Sequence, residues 1–131
     1  MKVFIADGSK LGLRRLLMLL SDIKEFELFG YSAEINGAIV SIRSIRPHVV
    51  ILDLEMRGGN GIEVLKTIKR EMPEVIFLIV TNSASESYRT HCKELGAEFF
   101  FDKSTEFSQI PDTLTSLAAQ LSQKQQKEVT Q

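Results

Sequence analysis

Five short apolar segments alternate along the chain with segments of helical period, and this alternation constrains the fold more than any other feature. It is typical of βαβ units that pack as a parallel sheet with helices on both faces. The segments VVIL and VIFLIV are continuously apolar, as expected for central strands covered on both sides. The sequence therefore predicts one doubly wound α/β domain with five strands and five helices. The expected strands are 2–6, 26–31, 49–52, 75–80 and 97–101.

Helix boundaries can be predicted from a few local signals. Pro73 ends the third helix, because proline lacks a backbone donor and disfavours helical geometry in the residue before it. Ser83 with Glu86 resembles a capping box that opens the fourth helix, and Gly96 is expected to end it in a left-handed conformation. The fifth helix is expected to fray beyond Ser122. We therefore predict a domain over 1–122 and a polar tail or linker stub over 123–131.

Length and charge exclude several classes of protein. The chain has 131 residues, which suits one domain, and its net charge of −1 gives no electrostatic footprint for nucleic acid or for an anionic membrane. No apolar run is long enough to span a bilayer, and the single cysteine, Cys92, fits a reducing compartment. We expect a cytoplasmic protein. Only 28 residues follow Lys103, too few for a helix-turn-helix module, so direct DNA binding is not expected, while dimerisation stays open.

Polar side chains follow four of the predicted strands at the point where each strand ends. Asp7 follows the first strand, Asp53 the third, Thr81 the fourth, and Lys103 lies just beyond the fifth. Right-handed crossovers place the carboxyl ends of parallel strands at one edge of the sheet, where ligands bind. We therefore expect two carboxylates, a hydroxyl and an ammonium to meet around one pocket.

This set of groups suits phosphoryl transfer to a carboxylate. Asp53 is the predicted nucleophile, and a second acid would help it to hold Mg²⁺, which prefers oxygen ligands. Lys103 would pair with a phosphoryl oxygen, and the Thr81 hydroxyl would donate to another. Movement of Thr81 toward the phosphoryl group would carry the change to a neighbouring loop.

Four ordered motifs resemble those of response-regulator receiver domains, the two-component signalling modules that include the chemotaxis regulators. They are IADGS, VVILDLEMRGGNG, VTNS and FFFDKS, and the resemblance runs from about residue 2 to residue 121. It implies a flavodoxin-like sheet of order 2-1-3-4-5. It also implies that a histidine kinase or phosphotransfer protein phosphorylates Asp53, which then signals to a downstream protein or a fused output domain. By the same resemblance, Asp7, Asp53 and the Glu55 carbonyl bind the metal, and Phe100 is the aromatic switch.

The sequence departs from the receiver pattern at one position that affects the metal. Receivers usually end their first strand with two adjacent acids, and here the second position is Gly8. Losing a carboxylate predicts weaker Mg²⁺ binding and slower phosphorylation, unless Asp7 or the Glu55 side chain compensates. Milder departures are Arg57, Asn82 and Ser104. Arg57 is either a solvated loop residue or a contact for phosphate or a partner.

Two other functions compete with phosphorylation-dependent signalling. The first is a pseudo-receiver that binds partners without phosphorylation, which Gly8 favours. The second is a small phosphatase of the haloacid-dehalogenase type, which the segment Asp53-Leu54-Glu55 disfavours because the expected second aspartate is missing. We expect no enzyme beyond a phosphoacceptor that assists its own phosphoryl transfer and dephosphorylation. Asp7 has a structural alternative as a helix cap, and His48, His91 and Cys92 are assigned no role.

Overall fold

The computed structural model describes the backbone of residues 1–130 and the side chains of residues 1–125, and it contains the predicted five-stranded parallel sheet. The order along the sheet is β2-β1-β3-β4-β5, and all four neighbouring pairs are parallel. This confirms the doubly wound, flavodoxin-like fold. The strands are β1 Lys2–Ala6, β2 Glu27–Ser32, β3 Val49–Leu52, β4 Ile76–Thr81 and β5 Phe99–Asp102.

Five α-helices connect and cover the strands. A short 3₁₀ turn at Phe107–Gln109 precedes the last of them, and a two-residue antiparallel ladder pairs Glu55–Met56 with Gly59–Asn60 directly after Asp53. The glycine-rich segment after Asp53 is therefore a small hairpin. The helices are α1 Lys10–Leu20, α2 Ile35–Ile45, α3 Ile62–Glu71, α4 Glu86–Glu94 and α5 Ile110–Thr130.

Alternation along the buried strands divides the core into two layers. In β3, Val49 and Ile51 point to the layer covered by α1 and α5, while Val50 and Leu52 point to the layer covered by α2, α3 and α4. All four are buried, which is why this strand has no polar residue until Asp53. A fully buried aliphatic side chain contributes about 1.5–3 kcal/mol, so both layers hold the strand ends firmly.

The fourth helix begins differently from the prediction. The residue that caps α4 is Ser85, whose hydroxyl accepts a hydrogen bond from the Tyr88 backbone N–H, so the predicted box of Ser83 with Glu86 is wrong. Ser83 instead donates its hydroxyl to Glu55 Oε1 at 3.2 Å. The other end agrees with the sequence, because Gly96 follows the helix with φ of 102°.

The fifth helix is longer than expected. Its backbone continues to Thr130, whereas the sequence predicted a frayed end beyond Ser122. Good helix formers such as glutamine and lysine in this segment explain the continuation. The division into a domain over 1–122 and a tail stays a prediction. Among the described residues, no helix combines the length and apolar character that crossing a membrane requires.

Removing the true cap should destabilise the domain more than removing the false one. We expect Ser85→Ala to lower the free energy of unfolding by about 1 kcal/mol, because the Tyr88 N–H loses its partner. Ser83→Ala is the matched control and should cost less than about 0.5 kcal/mol, since its bond lies on the surface. Urea unfolding of both variants measures the difference. A larger loss in Ser83→Ala would restore the capping-box interpretation.

Candidate functional site

The carboxyl ends of β1, β3, β4 and β5 lie side by side at one edge of the sheet. The register pairs Ala6 with Leu52 and Leu52 with Ile79, so Asp7 and Asp53 leave the sheet at the same level. Thr81 pairs with Asp102 at the end of β5, and Lys103 follows directly. The strand ends therefore bring the predicted residues to a common edge.

Lys103 joins the two aspartates through its ammonium group. Its Nζ donates to Asp53 Oδ2 at 2.7 Å and to Asp7 Oδ2 at 2.9 Å. The side chains of all three residues are almost fully buried, with 6%, 5% and 2% exposure for Lys103, Asp53 and Asp7. Buried charges persist only when paired, so these three groups form one ionic cluster.

The remaining carboxylate oxygens are held by backbone donors two residues further along the chain. Asp7 Oδ1 accepts from the Ser9 N–H and Asp53 Oδ1 accepts from the Glu55 N–H, both at 2.9 Å. Ser9, not Asp7, is the cap of α1, because its hydroxyl accepts from the Gly12 N–H. The helix-cap alternative for Asp7 is therefore wrong.

Two glycines allow the backbone to pack against the cluster. A Cβ at Gly12 would lie 2.3 Å from Asp7 Oδ2, and a Cβ at Gly61 would lie 2.5 Å from the Asp53 carbonyl oxygen. Real Cβ atoms do not approach so closely, so both positions exclude any other residue without rearrangement. Neither role was predicted from the sequence, although a glycine in the first turn of a helix, where it lowers helix stability, is a signal that could have suggested the role of Gly12.

Thr81 is adjacent to the cluster but differs from the other three residues. Its side chain is fully buried, its Oγ1 accepts from the Ser83 N–H at 3.1 Å, and its carbonyl accepts from the Lys103 N–H at 2.9 Å. It fixes the Lys103 backbone. The pocket lining that the structure describes includes the next residue, Asn82, and not Thr81. Asn82 in turn accepts a hydrogen bond from the Ser104 hydroxyl, which joins two of the departures from the receiver pattern.

The environment of Lys103 keeps its ammonium protonated. Burial by itself lowers the pKa of Lys103, but the hydrogen bonds that its ammonium donates to Asp53 and Asp7, together with their negative charges, outweigh burial, and the pKa is raised. A lysine whose folded-state pKa lies above its unfolded value stabilises the fold at every pH below the unfolded value. That contribution is lost only as the pH rises through the folded pKa. Lys103 therefore carries its positive charge throughout the neutral range.

A cleft of about 450 Å³ opens beside the cluster. Asp7, Asp53 and Glu55 line it with three carboxylates, and Lys103, Arg15 and Arg57 line it with three cations. The Arg57 backbone is fixed by the Ala33 carbonyl, while its side chain is exposed at the rim. The lining therefore has equal numbers of acidic and basic side chains, and the cleft is large enough for a small anionic group.

The residues present fit a divalent metal poorly. Gly8 supplies no ligand, and its N–H donates to the Glu55 carbonyl at 3.1 Å, the oxygen to which the resemblance assigned a metal. Within the described residues, no group of three His, Cys, Asp or Glu side chains is arranged to hold a metal ion. The predicted Mg²⁺ set of Asp7, Asp53 and Glu55 stays a prediction, and no step below depends on it.

Phe100, the predicted switch, is covered by an arginine from α4. The Arg89 guanidinium lies 4.7 Å from the centre of the Phe100 ring and donates to the Phe100 carbonyl at 3.1 Å. Its other nitrogen donates to Glu106 Oε1 at 2.9 Å, and the same oxygen accepts from the Asp102 N–H. Hydrogen bonds from the Asp102 backbone and from Arg89 lower the pKa of Glu106. The segment that carries Lys103 is thus tied to α4, a connection that the sequence did not reveal.

Several residues outside the site make structural contacts. Phe99 and Phe101 belong to the layer against α5, with their rings stacked 6.3 Å apart. Cys92 is fully buried in the opposite layer, and burial raises the pKa of its thiol to about 11, which disfavours the reactive thiolate. His48 Nδ1 accepts from the Lys2 N–H at the far end of β1.

Fold and site together define a doubly wound α/β domain with an ionic cluster at the carboxyl edge of its sheet, and the sequence comparison gives its family. The profile of the response regulator receiver domain matches residues 3–115, so the chain belongs to that family. The resemblance to receiver domains that the sequence motifs indicated is therefore confirmed.

The chain matches curated relatives that are longer than the matched region. It is 30% identical over 105 residues to the DNA-binding transcriptional activator EvgA of Escherichia coli K12, a match that covers 79% of this chain and 50% of EvgA. It is 29% identical over 119 residues to the protein-glutamate methylesterase/protein-glutamine glutaminase of Clostridium acetobutylicum, covering 86% of this chain and 34% of that protein. The chain thus spans half or less of these two relatives.

A solved receiver domain has the same architecture. The isolated receiver domain of RcsB from Salmonella enterica serovar Typhimurium, determined in the presence of the phosphomimetic BeF₃⁻, superposes with a TM-score of 0.82 at 27% identity. The alignment covers 89% of this chain and 87% of the RcsB domain. The likeness therefore extends over nearly the whole of both chains.

Replacing the bridging lysine should destabilise the fold strongly. We expect Lys103→Met to lower the free energy of unfolding by about 3–5 kcal/mol at neutral pH, because two buried carboxylates lose their counter-ion. The exposed Lys66→Met is the matched control and should change stability by less than about 0.5 kcal/mol. Adding Asp53→Asn to Lys103→Met should recover part of the loss, since one uncompensated charge is removed.

Because the pKa of Lys103 is raised, the difference in the free energy of unfolding between wild type and Lys103→Met depends on pH in a defined way. The gap between wild type and Lys103→Met should persist up to about pH 10.4, the unfolded value for lysine, and shrink only above it. Chemical denaturation at several pH values measures the gap. Collapse of the gap between neutral pH and pH 9 would contradict an ammonium held in its charged form.

Proposed function

We propose that this chain is a phosphoacceptor receiver domain, phosphorylated on Asp53 by a histidine kinase or a phosphotransfer protein. The observation that carries the proposal is the Lys103 ammonium bonded to both Asp7 and Asp53 beside an open cleft. In the transfer step the P–N bond of a phosphohistidine breaks, the nitrogen keeps the electron pair, and a P–O bond forms to the Asp53 carboxylate. Lys103, at 2.7 Å from Asp53 Oδ2, is positioned to pair with a phosphoryl oxygen as charge builds there.

The signal leaves the site through the segment that carries Lys103. A phosphoryl group on Asp53 adds negative charge and competes with Asp7 for the ammonium, so Lys103 shifts. Asp102, directly before Lys103, is bonded to Glu106, and Glu106 is bonded to Arg89 on α4. The α4–β5–α5 face therefore changes shape with phosphorylation, and a downstream protein or a fused output domain reads that face. Thr81 would contribute by donating its hydroxyl to the phosphoryl group.

The chain is proposed to act as a switch and not as an enzyme with an external substrate. Apart from assisting its own phosphoryl transfer and dephosphorylation, no turnover is assigned to it. The DNA binding named for EvgA and the methylesterase activity named for the clostridial relative belong to proteins that this chain matches over only part of their length. We propose that these activities require parts of those proteins outside the match.

A second function, partner binding without phosphorylation, is favoured by one observation. The Gly8 N–H donates a hydrogen bond to the Glu55 carbonyl oxygen. The resemblance to receiver domains assigns this oxygen to the metal that assists phosphorylation. If this function holds, Asp53→Ala should bind the phosphotransfer domain of the cognate kinase as tightly as wild type in an isothermal titration without a phosphodonor. Wild type should then show no gain in affinity for any partner on phosphorylation.

Phosphorylation of Asp53 is tested directly by mass spectrometry. We expect wild type to gain one phosphoryl group on incubation with acetyl phosphate or with the autophosphorylated kinase, and peptide mapping to locate it on Asp53. Asp53→Asn should remain unmodified, because the amide cannot act as the nucleophile. Asp22→Asn, at an exposed position outside the cleft, is the control and should be modified like wild type. Absence of modification in wild type under both conditions would refute the proposal.

A further inference from the structure

The four carboxylate oxygens of the ionic cluster each have a hydrogen-bond donor from the protein. Ser9 N–H and Lys103 Nζ donate to the two oxygens of Asp7, and Glu55 N–H and Lys103 Nζ donate to the two oxygens of Asp53. Mg²⁺ demands near-ideal octahedral geometry and loses its waters reluctantly, so a metal here would have to share carboxylate oxygens that each already accept one hydrogen bond from the protein. Here both aspartates are committed to a protein cation.

The position beside the Glu55 carbonyl is closed by backbone. The Gly8 N–H donates to this oxygen at 3.1 Å, and a Cβ built on Gly8 would lie 2.4 Å from the same oxygen and 3.3 Å from the Met56 Cα. A contact of 2.4 Å with a backbone atom forces the hairpin to move. Glycine at position 8 therefore removes an acid and also lets the end of β1 approach the hairpin closely.

The balance of charge points the same way. The cleft is lined by three carboxylates and three cationic side chains, whereas a site that holds a divalent cation by charge needs an excess of carboxylates. The buried ammonium of Lys103 already lies between Asp7 and Asp53, where a second cation would be repelled by it.

We infer that Lys103 takes the place of a divalent cation at this site, and that the Gly8–Glu55 contact closes the position a metal would otherwise occupy. The inference concerns the site of the proposed function and rests on that function only where phosphorylation is measured. The missing acid at position 8 is only part of the difference. Lys103 supplies the positive charge that neutralises the two aspartates, and the contact between Gly8 and Glu55 fills the position beside them.

Metal binding is tested without any phosphodonor, with Mn²⁺ as a paramagnetic probe of ¹⁵N-labelled protein. We expect wild type to show no localised broadening of the amide signals of Asp7, Gly8 and Asp53. Lys103→Met should show such broadening, with affinity for Mn²⁺ raised at least about tenfold, because two carboxylates lose the competing charge. Lys103→Arg keeps the charge and should behave as wild type. Localised broadening in wild type would overturn the inference, and that measurement stands even where Lys103→Met does not fold.

A parallel experiment separates this inference from the proposed function. Wild type is incubated with acetyl phosphate in the presence of Mg²⁺ or of a chelator, and the modified fraction is compared. Equal modification supports both proposals. Modification that requires Mg²⁺ would overturn the inference and leave the phosphoacceptor function intact. No modification in either condition, with the autophosphorylated kinase as well as with acetyl phosphate, would refute the proposed function, while the Mn²⁺ result would still decide whether the site binds a metal.

Discussion

The pairing of one buried ammonium with two buried carboxylates is the interaction on which the rest of this structure depends. An unpaired charge at this depth would cost several kcal/mol, so Asp7, Asp53 and Lys103 can occupy one edge of the sheet only together. Asp7 and Asp53 lie 96 and 50 residues before Lys103 in the sequence, and each of the three residues is held at the end of a different strand. The cluster therefore links the ends of β1, β3 and β5, and any change in its charge acts on all three strands.

Much of the fold and part of the site could be predicted from sequence, because both depend on local patterns repeated along a parallel sheet. The strands 2–6 and 49–52 agree with the structure residue for residue, since continuous apolar runs have sharp ends. Membership in the receiver family was also predicted and is confirmed. The convergence of Asp7, Asp53 and Lys103 followed from topology alone, as each residue ends or follows a strand.

The errors have a common physical origin in choices between similar local interactions. Ser83 and Ser85 are both suitable helix caps. The Ser83 hydroxyl donates to Glu55 in the hairpin, and the Ser85 hydroxyl caps α4. The close packing of Gly12 on the Asp7 carboxylate and the connection of Arg89 to Glu106 depend on how elements meet in space. A sequence signal such as the first-turn glycine can indicate that a residue has a special role, but spacing along the chain does not show which partner it contacts.

The central claim is that Lys103 is a protected, charged ammonium held between two aspartates. Nuclear magnetic resonance of ¹⁵N-labelled lysine side chains tests it most directly, with the signal assigned by its loss in Lys103→Met. We expect the Lys103 ammonium protons to exchange with water far more slowly than those of exposed lysines at neutral pH, and the exchange to become faster in Asp53→Asn. Exchange as fast as that of the exposed lysines would contradict the account.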